Sequence, residues 1–275
     1  MIRTFGTRNK KLFCEDTLCF ITIYVIKEGE CRTIMKNIVA VIPARYQSLR
    51  FPGKPLAIIA GKPMIQRVYE QVKQVQGIST VIVATDDKRI YDTVNGFQGS
   101  AVMTGKCNCG SERVYEAIKD YPCDIVINVQ GDEPLIKPKM IEELISAFED
   151  DNVSMATLCK KIHNSDDIAN PNIVKVVRNK NDDALYFSRY AIPFNREKQN
   201  RINFFKHIGI YGYTKNFLKE YVQIGEMPLE TIENLEQLRV LESGYKIRVV
   251  ETLYDSMGVD MPEDISKIEN KLNKN

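Results

Sequence analysis

The chain has 275 residues, and 38 Lys and Arg set against 36 Asp and Glu leave a formal charge of +2. So even a balance gives no footprint for nucleic acid or an anionic membrane. With 44% hydrophobic and 27% charged residues, whole-chain disorder is excluded, and the length allows one large domain or two small ones. Seven cysteines, an odd number, do not read as a disulfide framework, so a reducing, cytoplasmic compartment is expected. The apolar run at 18–26 is shorter than the roughly 20 residues of a membrane span. Glu15 and Asp16 before it, and Lys27, Glu28 and Glu30 after it, argue against a signal peptide. Residues 1–34 show no clean period, and Met35 stands directly before a strong strand pattern. We read 1–34 as an extension upstream of a start at Met35, with a targeting segment or an accessory strand and helix as alternatives. Residues 35–275 are read as a single domain.

From there the patterns alternate. Runs rich in Val and Ile predict strands at 38–42, 80–84 and 125–129, with a short one at 100–103. Helical patterns lie at 64–76, 88–97, 112–119 and 140–148. Strands that are apolar throughout are buried on both faces, and their alternation with helices implies an α/β fold with a mostly parallel sheet covered by helices. The second half carries strands at 174–177, 184–187, 207–213 and 246–250, several of them alternating, and helices at 216–222, 229–242 and 262–272. No Gly/Ser/Pro-rich linker divides the halves, so the second half is read as a smaller sheet insertion. Ligands of parallel sheets bind at the carboxyl ends of the strands, where the informative residues should lie.

After the first strand, residues 43–56 read Pro-Ala-Arg-Tyr-Gln-Ser-Leu-Arg-Phe-Pro-Gly-Lys-Pro-Leu. Arg45, Arg50 and Lys54 around a glycine turn suit a polyphosphate, although neither the P-loop nor the dinucleotide fingerprint is present. A solvated basic loop is the plainer alternative. After the strand at 125–129 comes Gln-Gly-Asp-Glu-Pro at 130–134, and Asp132 there is either a Mg²⁺ ligand or a turn residue. Asp260, in Gly-Val-Asp at 258–260, either caps a helix begun by Pro262 or supplies a second metal carboxylate. In an extended strand His207, Gly209, Tyr211 and Tyr213 share one face, and four residues separate His207 from Tyr211 by about 13 Å. Gly209 leaves room there for a ligand. A satisfied buried histidine and a core tyrosine are the alternatives. A helix over 229–242 places Leu229, Ile232, Leu235 and Leu238 on an apolar side, with Glu233 and Gln237 on a solvated one.

These motifs recur in order with V-A-T-D, A-L-Y-F-S-R, K-H-I-G-I-Y-G-Y, L-E-Q-L-R and G-V-D-x-P-E-D. Over residues 36 to about 270 the chain resembles the 3-deoxy-manno-octulosonate (Kdo) cytidylyltransferases, also called CMP-Kdo synthetases. The resemblance implies a nucleotidyltransferase-type, Rossmann-like fold and a cytoplasmic homodimer. The implied enzyme is a nucleotidyltransferase that couples CTP to Kdo, an acidic eight-carbon sugar, with Mg²⁺ as cofactor, for lipopolysaccharide synthesis. Carried over by position, it implies that Arg45 and Lys54 hold the CTP phosphates. Ala44, Gly110, Ser111, Arg113 and Gln130 would line the nucleotide pocket, and Asp132 and Asp260 would hold magnesium. Lys54, Asp132 and Asp260 are thus the expected catalytic residues. Arg189, His207, Tyr211, Glu236 and Gln237 match positions that contact the sugar. Neither nucleic acid nor membrane insertion is implied.

The nucleotide segment departs from the family pattern, because Cys109 stands where a serine is usual and the preceding loop is one residue shorter. A thiol donates more weakly than a hydroxyl. Cys107 and Cys109 lack a matched second pair for zinc and are read as exposed, oxidisable thiols. Several segments also resemble a branch acting on the 8-amino analogue of Kdo, which is the alternative substrate. A non-catalytic nucleotide-binding protein is the alternative from another class.

Overall fold

A computed structural model of the chain describes residues 22–27, 30–48, 50–197 and 202–273. The expectation for residues 1–21 lies outside the described residues. Strands β1 (Thr22–Lys27) and β2 (Glu30–Met35) form an antiparallel hairpin that joins no strand of the large sheet.

Strand β3 (Ile38–Ala44) is the centre of the first half, and almost every residue in it is buried, as its unbroken apolar run requires. Beyond it lie a 3₁₀ turn at Lys54–Leu56 and the short hairpin of β4 (Ile58–Ile59) and β5 (Lys62–Pro63). Then come α1 (Met64–Lys73), β6 (Ile78–Thr85), α2 (Lys88–Gly96), β7 (Ala101–Met103), α3 (Gly110–Ile118), β8 (Ile125–Asn128) and α4 (Pro138–Ser146). Strands β7, β6, β3 and β8 lie side by side and parallel. Ile38, Ala40 and Ile42 face α1, α2 and α4, whereas Val39 and Val41 face the opposite helices, so one strand serves two cores.

The second half contains β9 (Met155–Lys161), α5 (Ser165–Ala169), β10 (Lys175–Arg178) and β11 (Ala184–Ser188). It continues with β12 (Phe205–Thr214), α6 (Lys215–Tyr221), α7 (Pro228–Glu233), α8 (Leu238–Glu242), β13 (Arg248–Glu251) and α9 (Asp264–Leu272). Strand β12 joins the halves. It runs antiparallel to β8 with Tyr211 opposite Asn128, antiparallel to β9 along its length, and touches β10 at Lys206. The antiparallel strands thus extend the parallel sheet, giving nine strands among the described residues. Helices α3, α6 and α8 cover the second face with Val114, Ile118, Phe217, Leu218, Leu238 and Val240.

Three local expectations are corrected. The helix over 229–242 is two helices, because Asn234 takes a left-handed conformation (φ 51°) that ends α7. Ile232 therefore points outward at 79% exposed, while Glu233 and Gln237 are not on a solvated face: Glu233 binds Ser188 and Gln237 is 4% exposed. The last helix begins at Asp264, two residues after Pro262. In β12, two extra residues bulge out between Ile208 and Tyr211 relative to β9. Inserting two residues preserves the alternation of faces. The His207 and Tyr211 rings consequently lie 5.5 Å apart between centroids, not at the extended spacing.

Candidate active site

The geometry at the strand ends follows from local sequence choices. Ala44 ends β3, buried, and the chain then leaves the sheet through the basic loop. Gly53 turns the loop with φ 72° and donates its N–H to Tyr46 O at 2.8 Å. A Cβ there would lie 3.1 Å from the Tyr46 ring, so backbone conformation and space both require glycine. The turn delivers Lys54 to the front of the sheet, where Nζ meets Asp132 Oδ2 at 2.5 Å and donates to Val259 O at 2.9 Å. Gly131 precedes Asp132 because a Cβ would approach Pro43 O to 3.0 Å, which brings the ends of β3 and β8 together. Gln130, just before it, is half-buried at the same strand end.

Asp260 arrives from the far end of the chain. Val259 N–H donates to Asp132 O at 2.9 Å, and Val259 is buried with Ile59, Met64 and Ile268. The Asp260 carboxylate meets Arg50 at 2.9 Å. It does not cap α9; Asp264 reaches back instead, accepting from the N–H groups of Asp260 and Met261 at 3.1 and 3.0 Å. Arg50, Lys54, Asp132 and Asp260, spread over more than 200 positions, are thus linked in one place. Arg45 donates to Asn108 O at 3.4 Å and ties this loop to the segment before α3.

That segment starts α3 with Cys109 at the cap position, although its side chain makes no cap bond. Gly110 opens the helix and Ser111 is buried behind it. Arg113, 1% exposed, bridges Thr104 Oγ1 at 2.6 Å and Asp86 Oδ2 at 2.7 Å, so it locks α3 to the ends of β6 and β7. The cysteines depart from the sequence reading, since both are half-buried. Burial first, and the Glu236 carboxylate second, push the Cys109 thiol up to about 12, so it stays protonated.

The residues expected on the sugar side gather around β12. Burial lowers His207 to about 3, leaving it neutral. Its Nε2 lies 2.9 Å from Thr157 Oγ1, which also lies 2.8 Å from Ile210 O and 3.1 Å from Ile208 O. The single hydroxyl proton goes to a carbonyl, so His207 Nε2–H donates to Thr157 and Nδ1 remains an acceptor. Burial also raises Tyr211, which stays a phenol. Glu236 accepts from the Tyr221 hydroxyl at 3.0 Å. Arg189 donates to the carbonyls of Glu233, Asn234 and Pro171 at 2.7, 3.2 and 3.2 Å, so its guanidinium fixes the break between α7 and α8. Asn128 Oδ1 and Gln237 Nε2 are buried without a hydrogen-bond partner among the described residues. Such atoms are costly unless a ligand or water completes them.

Sequence reasoning overlooked Thr157 and Asn128. Asn128 had a signal, a polar residue closing an otherwise apolar strand; Thr157 had none, because its role depends on the β12 bulge. Glu133 is half-buried and accepts from Ser256 Oγ at 2.5 Å. Burial foremost, with Asp132 adding to it against the pull of Ser256 and Lys206, raises its carboxyl to about 7.

A parallel sheet whose first strand runs into a glycine-turned cationic loop, facing a carboxylate at the neighbouring strand end, defines a nucleotidyltransferase-type site. The chain belongs to the cytidylyltransferase family, whose model matches residues 39–247. A 3-deoxy-manno-octulosonate cytidylyltransferase of Thermodesulfovibrio yellowstonii is 52% identical over 249 residues, covering 86% of this chain and 98% of that protein. One from Fusobacterium nucleatum is 50% identical over 238 residues, covering 86% and 96%. A solved CMP:2-keto-3-deoxy-manno-octonic acid synthetase, complexed with CTP, superposes with a TM-score of 0.83 at 44% identity, covering 86% of this chain and 99% of that one. Among the described residues no helix is long and apolar enough to cross a membrane.

Proposed function

We propose that the protein transfers CMP from CTP to the anomeric hydroxyl of Kdo, giving CMP-Kdo and pyrophosphate for lipopolysaccharide synthesis. The observation that carries this reading is the meeting of Lys54, Arg50, Asp132 and Asp260 at the strand ends, in a chain 52% identical to a Kdo cytidylyltransferase. The nucleotide half, within 35–275, would bind CTP, and the β12 side would bind the sugar. We further infer a homodimer working in the cytoplasm.

The two aspartates fit Mg²⁺ by their chemistry. They are hard oxygen donors that already face cations, and Mg²⁺ takes one or two carboxylates plus substrate oxygens. Among the described residues no cluster of three or more His, Cys, Asp or Glu is present, so the other ligands would be phosphate oxygens and water. When bound there, Mg²⁺ would supply Lewis-acid polarisation of phosphate and sugar oxygens.

The chain's own groups perform the rest. Lys54, with Arg45 and Arg50, would offset charge on the triphosphate as pyrophosphate leaves, and the sugar hydroxyl would attack the α-phosphorus in line. Neutral His207 and phenolic Tyr211 would orient hydroxyls without adding charge beside the sugar carboxylate. Gln237 Nε2 is a free buried donor for the same ligand.

The test is pyrophosphate release from CTP with Mg²⁺, offering Kdo and its 8-amino analogue separately. Release with Kdo is expected. Release only with the amino sugar overturns the substrate, and none with either, from folded protein, overturns the reaction.

A further inference from the structure

Asp260 lies on a segment, 252–263, without helix or strand, yet it must stand opposite Asp132. Val259 is buried with Ile59, Met64 and Ile268, and Met257 packs against the same cluster. The remaining attachments are polar. Asp255 is gripped by Lys206 at 2.5 Å and Lys160 at 3.2 Å, from β12 and β9. Ser256 Oγ–H donates to Glu133 Oε2 at 2.5 Å, and Val259 N–H donates to Asp132 O. Successive residues of the turn after β8 therefore hold the strap, Asp132 through its backbone and Glu133 through its side chain. Gly258 passes between these two bonds, where a Cβ would lie 3.7 Å from Asp132 O and 4.0 Å from Glu133 Cγ. A two-point attachment fixes both the height of the strap and its rotation about the Asp132 contact.

We propose that Ser256 and Glu133 are positioning residues for the reaction, whose hydrogen bond sets Asp260 against Asp132 so that one metal ion can engage both carboxylates. The proposal rests on the reading of those aspartates as the metal pair. With the bond removed, the strap keeps its Val259 and Met257 anchors and Asp260 keeps Arg50 and Asp264, so the fold survives, but the strap loses its second tie to the turn that carries Asp132, and with it the register of the two carboxylates. The effect belongs to metal binding, not to the sugar.

The experiment measures Mn²⁺ binding by electron paramagnetic resonance, with CTP present and no sugar, so that no turnover occurs. Ser256→Ala and Glu133→Ala remove the bond from either side. Each is expected to weaken Mn²⁺ binding about five- to tenfold, as for loss of one ordinary hydrogen bond, while Ser256→Thr and Glu133→Gln stay within about twofold. Thermal melting accompanies each variant, and two routes to the same lesion leave the test standing if one fails to fold. Folded alanine variants that bind Mn²⁺ like the wild type overturn the proposal, whatever their melting temperatures. A wild type that holds no more Mn²⁺ than CTP alone does overturns the metal reading itself, and the proposal with it.

Discussion

His207 shows how one side chain carries a pH signature. The unfolded chain takes up a proton near the ordinary value of 6.5, whereas the folded site resists until about 3. Stability from this group is complete above pH 6.5 and is lost as the pH falls from there toward 3. Glu133 has the opposite slope: its carboxyl stays protonated up to about 7, so its contribution is present below 4.5 and declines as the pH rises through 7. The slopes overlap, so the expectation is differential: His207→Gln should lose less melting temperature than wild type between pH 6.5 and pH 4, checked by calorimetry at several pH values. Asp132→Asn should lower kcat roughly a hundredfold or more with an unchanged circular dichroism spectrum. At this scale the placement of Lys54 and Asp132 was legible because their motifs follow strands, whereas Asp260 was marked only by its Gly-Val-Asp motif on a segment without helix or strand. The Ser256–Glu133 bond was not, since 123 positions separate its partners and nothing local announces their meeting.

Among the elements, the break at Asn234 has the clearest cost. A β-branched residue cannot adopt φ 51° without strain, so Asn234→Val should destabilise by about 1–2 kcal/mol, whereas Asn234→Gly should stay close to wild type. Denaturant titration of both variants checks this. Because Arg189 donates to Asn234 O, Asn234→Val should also raise the KM for the sugar more than that for CTP. The strands of the first half were legible because continuous Val and Ile runs admit few alternatives. Strand β9 escaped because Met155-Ala-Thr-Leu-Cys159 has one β-branched residue and two buried faces, so neither propensity nor alternation marks it. The break in 229–242 escaped for a related reason: apolar spacing continues across Asn234, and only its backbone dihedral ends the helix. The β12 bulge likewise reflects pairing with two neighbours at different registers, which no single strand encodes.

For the whole molecule, the same sheet presents a parallel half with the cations and carboxylates and an antiparallel half with His207 and Tyr211, sharing β12. Binding of CTP with Mg²⁺ should therefore stabilise both halves as one unit. At a hundredfold excess over Kd the gain is about 2.7 kcal/mol, or a rise in melting temperature of about 5–10 °C. Thermal melting with and without ligand checks it, and Asp132→Asn should lose most of the rise. The general architecture was legible because alternating strands and helices admit few topologies; the merging of the second-half strands into the same sheet was not, since sequence gives no order of neighbours.

The late position of the strap has a consequence for synthesis on the ribosome. A growing chain that has emerged only through β13 already holds every strand of the large sheet, the basic loop and Asp132, but lacks Asp260. Such a nascent polypeptide can collapse into most of its final shape before the proposed metal pair is complete. On that proposal, chemistry would be withheld until translation has passed residue 260, and products of premature termination before that point would be born inert.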